Sequence, residues 1–497
     1  MEFIFHGTGT SSALPLVPCI TSTPRLSDIK CRSCREAVAS MAEPSEGELE
    51  EDVLKARVKA GFRNKRGNTG GILRKKGPDG EWRYVEGYRK MKVFLVLILA
   101  AACSIRTIVI DVGKTFRDQA TWLFRKHRIQ RIDAVILTHG HADATAGLDD
   151  LRAFTAPPSP QAGQCIPIYL SKATLKAVAQ QFPYLVDKNK ATGGGDVPSL
   201  VFKVFDEDEG DEAENEEELE AKRMSQGFDV EGIRVVPLPV HHGKYFTPPD
   251  KVERLDAPQM QTQPSTPAQV IQPVNANGSA PSVNAIQQSL SSLLHRKLEE
   301  SVKETVPFYC YGFVFDGKMV YLSDISYIPS RTWATMIGAV RNPPSALSAA
   351  SSSLQRNGSA DRLPTGDVIG LDKLPFPANA APLEYNELPC LILDTLRLEP
   401  HVSHLSFLQS LSIVQRLSPA ETYFVGFTHP ASHQEWEAAC KEVQGIREEG
   451  EEEAFLNAVT KSGVKQGEMM KKVWEEVRTD WKGFVRPGYD GQVIQIR

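Results

Sequence analysis

The stretch from Ala134 to Arg152, AVILTHGHADATAGLDDLR, restricts what this chain can become more than any other. It opens on Ala134-Val135-Ile136-Leu137, an apolar run with the length and composition of a buried strand. His139, His141 and Asp143 follow at every second position, and in extended or turn backbone such residues project to one side. Imidazole nitrogen and carboxylate oxygen are the donors that a borderline cation such as zinc accepts. Gly147 to Arg152, GLDDLR, reads as the start of a helix with acids in its first turn. Strand, ligand-bearing loop and helix together predict a metal site at a sheet edge.

The other histidines repeat the pattern. Eight of the eleven fall in four close groups, 139/141, 241/242, 401/404 and 429/433, each just after an apolar run or the loop leaving one. VVPLPV delivers His241 and His242 against Gly243. Thr107 to Gly113 is a β-branched strand ending in Asp111, and Phe116, Ala120, Leu123, Phe124 and His127 recur at helical spacing. A strand around Pro167 to Leu170 and a helix from about Lys172 to Phe182 come next. In Phe308 to Asp324, two β-rich runs flank Asp316-Gly317, the pair that a tight primed hairpin turn prefers. Leu388 to Thr395 is a strand, followed by His401, His404 and a helix with Phe407, Leu408, Leu411, Val414 and Leu417 on its apolar face. Tyr423 to Phe427 is a further strand handing over Thr428-His429, and Gly491 to Ile496 closes the fold. Phe3 to Pro15 runs from a strand into a Gly-rich turn, without the GxGxxG or lysine of a phosphate-binding loop. Cys19, Cys31 and Cys34 read as reduced thiols, with three ligands of a structural zinc as the alternative.

At 497 residues a sizeable core can be buried. A net charge of -5 and the lack of a Lys/Arg-rich arm argue against a nucleic-acid partner. Eight scattered cysteines make no disulfide framework, so a reducing compartment is expected, the cytoplasm or the nucleus. Met1 to Phe5 already looks like a strand, leaving no leader peptide. Val93 to Cys103 is strongly apolar but shorter than the about 20 residues that span a bilayer, so no membrane partner is expected. Charged or Gln/Pro/Ser/Asn-rich composition marks insertions at about 205–226, 247–303 and 342–366, with shorter acidic stretches at 43–52 and 448–453. Oligomeric state is not written in the sequence.

THGHAD resembles the THxHxDH signature of the metallo-β-lactamase superfamily, and GLDDLR resembles its cyclic-phosphate phosphodiesterase branch. The signature's final His is Ala144 in this chain. The resemblance implies one domain over 1–497, a four-layer αβ/βα sandwich interrupted by the insertions. It implies that His139, His141 and His242 hold one metal, that Asp143 and His429 hold a second, and that Asp324 bridges the two. Asp111 would orient a ligand without binding metal, and His404 would protonate the leaving group, with His401 as its substitute. His241 is the reserve for His242, and His433 would hydrogen-bond nearby. With Ala144 in place of an imidazole, a tight first zinc and a weaker second ion are expected, manganese being the alternative metal.

Zinc lowers the pKa of a water it binds to about 7, so hydroxide is available at neutral pH. The expected activity is therefore metal-dependent hydrolysis of a small or cyclic phosphate ester, with Asp143 and His404 as its catalytic residues. Two other readings compete: a tRNA 3′-processing endonuclease, disfavoured by the acidic balance, and a non-catalytic scaffold in which the metal is structural.

Overall fold

The computed structural model describes residues 1–21, 25–41, 61–75, 105–157, 159, 161–193, 197–206, 227–245, 306–342, 374–445 and 483–497. The apolar 93–103 run, the acidic 43–52 and 448–453 stretches and almost all of the three expected insertions lie outside these residues.

Fourteen described strands form two seven-stranded sheets. The first has the order β14-β1-β2-β3-β4-β5-β6, from β1 (Glu2–Gly7), β2 (Gly70–Lys75), β3 (Arg106–Ile110), β4 (Ala134–Ile136), β5 (Ile166–Leu170), β6 (Leu200–Val204) and β14 (Val493–Gln495). The second has the order β13-β12-β11-β10-β9-β8-β7, from β7 (Phe228–Val230), β8 (Ile233–Lys244), β9 (Pro307–Phe315), β10 (Met319–Leu322), β11 (Cys390–Asp394), β12 (Glu421–Val425) and β13 (Phe484–Pro487). Each sheet is part antiparallel and part parallel, with β3 to β6 and β10 to β13 running parallel. Parallel strands covered on both faces are apolar throughout, and β4, β10 and β11 are buried at every position.

The layers follow from three apolar clusters. Phe3, Phe5, Ile108, Ile110 and Ile136 of the first sheet meet Val235, Phe313, Phe315, Tyr321, Ile392 and Tyr423 of the second. Behind the first sheet, Val109, Val135 and Ile168 pack with Phe116, Leu123 and Phe124 of α2 (Phe116–Lys126), the first long helix after α1 (Arg32–Ala39). Behind the second, Val314, Leu322 and Leu393 pack with Trp333 of α4 (Ser330–Arg341), Leu411 of α5 (Phe407–Leu417) and Trp436 of α6 (His433–Val443); α3 (Lys172–Gln181) lies with the first half. Helix, sheet, sheet, helix is the four-layer αβ/βα sandwich that the sequence led us to expect.

The hairpin turn adopts positive φ at both Asp316 (49°) and Gly317 (69°), as a type I′ turn requires. After His141 the backbone turns helical from Leu148, as expected after Gly147, but the segment is not one continuous helix. It breaks into a turn at Ala142–Thr145, a 3-10 turn at Leu148–Leu151 and another turn at Arg152–Thr155. The cause is cross-bonding to the neighbouring strand exit: Val112 N–H donates to Ala144 O (2.8 Å) and Gly147 N–H to Val112 O (2.7 Å). These bonds press the loop onto Gly113, where an added Cβ would stand 1.8 Å from Asp143 O. Gly113→Ala must therefore displace the backbone that carries Asp143. We expect it to destabilise the fold by about 1–3 kcal/mol, read as a lower thermal midpoint, with weakened metal binding in the protein that remains folded.

Candidate metal centres

Parallel pairing sets the first part of the site. β3 and β4 leave the sheet side by side, with Asp111 N–H on Ile136 O at 3.0 Å, so Asp111 meets the residues after β4. Asp111 is buried and accepts from Thr138 N–H (2.9 Å) and Thr138 Oγ1 (2.9 Å). The Thr138 hydroxyl spends its proton on that carboxylate and accepts from His139 Nδ1 at 2.9 Å. With Nδ1 donating to Thr138, His139 turns its Nε2 toward the cleft. That Nε2 is buried, without a hydrogen-bond partner among the described residues, and 3.6 Å from Asp143 Oδ1. Burial pushes Asp111 up to about 7, against the opposing pull of His139 and the Thr138 hydrogen bonds. Asp143 goes the other way, because His139 and His141 outweigh its burial and hold it ionised.

The second sheet supplies the rest. Neighbours in a strand face opposite ways, so His241 and His242 part company. His241 lies between the rings of Tyr309 and Tyr327, while His242 enters the cleft. Ser403 O can only accept, so the 2.8 Å contact to His242 Nδ1 places the proton there and leaves Nε2 for a cation. Burial, then the neighbouring imidazoles, lower the His242 pKa, and burial and His139 lower that of His141. Those two rings are held neutral, the form a metal needs. For His139, burial is outweighed by Cys310, Asp143 and Asp324, which raise its pKa, so a cation there would displace a proton. Asp324 follows β10 at a left-handed φ of 51°, and Asp394 ends β11. Asp394 is buried, and its Oδ2 accepts from Leu405 N–H (3.1 Å) and His404 Nδ1 (3.0 Å). Burial alone would lower the His404 pKa, but Asp394 outweighs it and raises it to about 9.

These exits converge. One nitrogen from each of His139, His141 and His242 lies within 4.8 Å of the others, and the same spacing holds for His242, Asp324 and His404 and for His139, Asp143 and Asp324. Gly9, Thr69, Asp111 and Ala144 complete the lining of the adjoining pocket, which places the Gly-rich turn after β1 beside the site. His429 is elsewhere. Its Nδ1 lies 3.4 Å from Cys31 Sγ and 3.7 Å from Cys19 Sγ, and with Cys34 these form a second four-donor group within 4.8 Å. The seven described cysteines include no disulfide. Hydrogen bonding from Cys34 is the largest influence on Cys31 and, with His429, lowers its pKa to about 5 against burial. A thiolate beside an imidazole suits zinc.

Residues 106–254 match a family described as the beta-lactamase superfamily domain. The chain carries the metallo-β-lactamase fold. Similar solved structures include a diphosphatase from the PhnP family, at 15% identity over 100% of this chain and 98% of that one, with a TM-score of 0.44. Zn(2+)-bound PqqB from Methylobacterium extorquens is 12% identical over 100% of both chains, with a TM-score of 0.43. Unliganded yeast PDE1 is 10% identical over 86% of this chain and 94% of that one, with a TM-score of 0.36. No curated protein matches the sequence.

Of the site residues expected from the sequence, His139, His141, Asp143, His242, Asp324 and His404 come together, and His429 joins the cysteines. His433 packs its ring against Tyr489, and His401 Nδ1 contacts Ser403 Oγ at 3.1 Å. Asp394 was missed, although it ends an apolar strand just as Asp111 follows one. Thr138 was missed too, and its place between Asp111 and His139 makes it testable. Thr138→Val should keep the backbone N–H on Asp111 Oδ1 but remove the hydroxyl, leaving Asp111 Oδ2 without that donor and His139 Nδ1 without that acceptor. We expect metal affinity to fall about 10–100-fold, measured by competition with a coloured chelator.

Proposed function

We propose that the chain is a metal-dependent hydrolase acting on a small or cyclic phosphate ester. The observation that carries this reading is the convergence of three imidazoles, Asp324 and a carboxylate-anchored His404 on one cleft. His139, His141 and His242 would hold the ion, a three-nitrogen set with room for a further ligand, as catalytic zinc sites have. An ion bound there supplies Lewis acidity and acidifies water to near neutrality, zinc being the reading for this donor set and manganese the alternative.

The remaining steps belong to the chain. Asp143, held ionised, accepts a hydrogen bond from the attacking water and aligns it with the phosphorus. His404 carries a proton on Nε2 while Asp394 fixes its Nδ1, so it can protonate the departing oxygen. Tight anchoring of His404 by a buried carboxylate favours catalysis over a scaffold role, since a structural ion needs no proton donor. Net charge of -5 favours a small ester over a polynucleotide. For Cys19, Cys31, Cys34 and His429 we propose a structural zinc, because four sulfur and nitrogen donors leave no open position.

Turnover of bis(p-nitrophenyl) phosphate and of a nucleoside cyclic phosphate, each with and without chelator, tests the activity. His404→Ala should lower kcat by ~10²–10⁴-fold on an ester with a poor alkoxide leaving group and far less on p-nitrophenolate, at unchanged metal content. Equal losses on both esters would remove His404 from the acid role, and absence of chelator-sensitive turnover on any ester would remove the hydrolase reading.

A further inference from the structure

Resting on the hydrolase reading above, we infer that the cleft takes one ion rather than two, because the donors of the second position have been lost or reassigned. The signature resemblance implies a second ion held by Asp143 and His429, with Asp324 shared and an imidazole at position 144. Position 144 is an alanine, its methyl buried in the pocket wall and its carbonyl bound to Val112 N–H. His429 is committed to Cys19 and Cys31, more than 390 residues away in sequence (a separation of 398 from Cys31). Two imidazoles are gone from one coordination sphere.

Among the described residues the nearby imidazole is that of His404, grouped with His242 and Asp324, but Asp394 holds its Nδ1 and its Nε2 is the proton donor of the proposed reaction. His139 belongs to the group with Asp143 and Asp324, but it has one nitrogen to give. Its Nδ1 is bound to Thr138 Oγ1, and its Nε2 is needed with His141 and His242. Asp111 faces the pocket, yet both of its oxygens accept from Thr138. His433, the other histidine within reach along the chain, has its backbone N–H on Asn64 Oδ1 (2.7 Å) and its ring against Tyr489. Asp143 and Asp324 remain, two carboxylates of which one would be shared. Catalytic zinc sites keep three protein ligands, and two oxygens fall short of that. The residues do not fit a second ion, and the reaction written above routes no step through one.

The consequence is a count. The full-length chain should retain two ions, one with the cysteines and His429 and one with the three imidazoles. Elemental analysis after gel filtration should give two per chain for the unmodified protein, one for Cys31→Ser, one for His242→Ala and still two for Asp143→Ala. Three ions in the unmodified chain, or loss of one on Asp143→Ala, would overturn the inference. Should a variant fail to fold, the unmodified chain loaded with Mn2+ in the cleft decides: an isolated-ion electron paramagnetic resonance signal supports a single site, and a spin-coupled pair overturns it. A single ion that disappears in Cys31→Ser would show the imidazole cleft to hold none, and would remove the hydrolase reading together with this one.

Discussion

Two buried carboxylates, one at the exit of a strand in each sheet, hold two of the imidazoles of this site, His139 and His404. A carboxylate moved out of water costs several kcal/mol unless its lone pairs are met. Asp111 meets that cost with the amide and hydroxyl of Thr138, and Asp394 with Leu405 N–H and His404 Nδ1. Neither can be satisfied without fixing a ring: Thr138 passes the constraint to His139, and Asp394 applies it to His404 directly. Correct packing of the strand ends and correct aim of the nitrogens are therefore one event. The rest of the sandwich serves to bring the two exits face to face, through the aromatic layer of Phe3, Phe5, Phe313 and Tyr321 between the sheets.

Much of this was legible from local pattern. The apolar run before THGHAD, the Asp316-Gly317 turn and the apolar face from Phe407 to Leu417 each announce their element, because period and turn chemistry are local properties. The donors of the cleft were legible for the same reason, each following a strand-like run. What local pattern could not carry is the partnership of distant groups. His429 follows β12 much as the other donors follow their strands, and an imidazole serves a cysteine-rich centre as well as an oxygen-rich one. Only the position of Cys31 in space, 3.4 Å away, decides between them. Asp394 was hidden by its own burial: an aspartate at the end of LPCLILD reads as a strand terminus until His404 is seen to face it. The break after Thr145 was hidden likewise, since it depends on Val112, a residue of another strand exit.

The cysteine centre bears on the cleft without taking part in it. Arg66 is fully buried and donates from Nη1 to Thr428 O, the residue before His429, while its guanidinium lies over Phe427. Gly9, which lines the pocket, bridges to both Asn68 and Phe427. Thus the Gly-rich turn, the segment around Arg66 and the exit of β12 form one wall. Asp490 adds the C-terminal end, accepting from Thr8 Oγ1, Gly67 N–H and Gln119 Nε2. An ion joining Cys19, Cys31 and Cys34 to His429, as proposed, would close that wall across a long span of chain, where a cross-link removes most freedom from the unfolded state.

On the proposed reading, this arrangement accounts for the absence of an imidazole at position 144. At the position between Asp143 and Ala144, a donor stabilises only if an ion is present, and an ion needs several donors at once. Once Ala144 replaces an imidazole, the remaining pair of carboxylates gains little from His429. The same ring beside three sulfurs completes a four-donor group, and Cys31 Sγ meeting the His429 carbonyl ties the β12 exit to the N-terminal segment. The geometry places His429 with the cysteines and not with the cleft. The cleft is left with three imidazole nitrogens, the carboxylates of Asp143 and Asp324 and the ring of His404, a set that on the proposed reading serves one cation and one water.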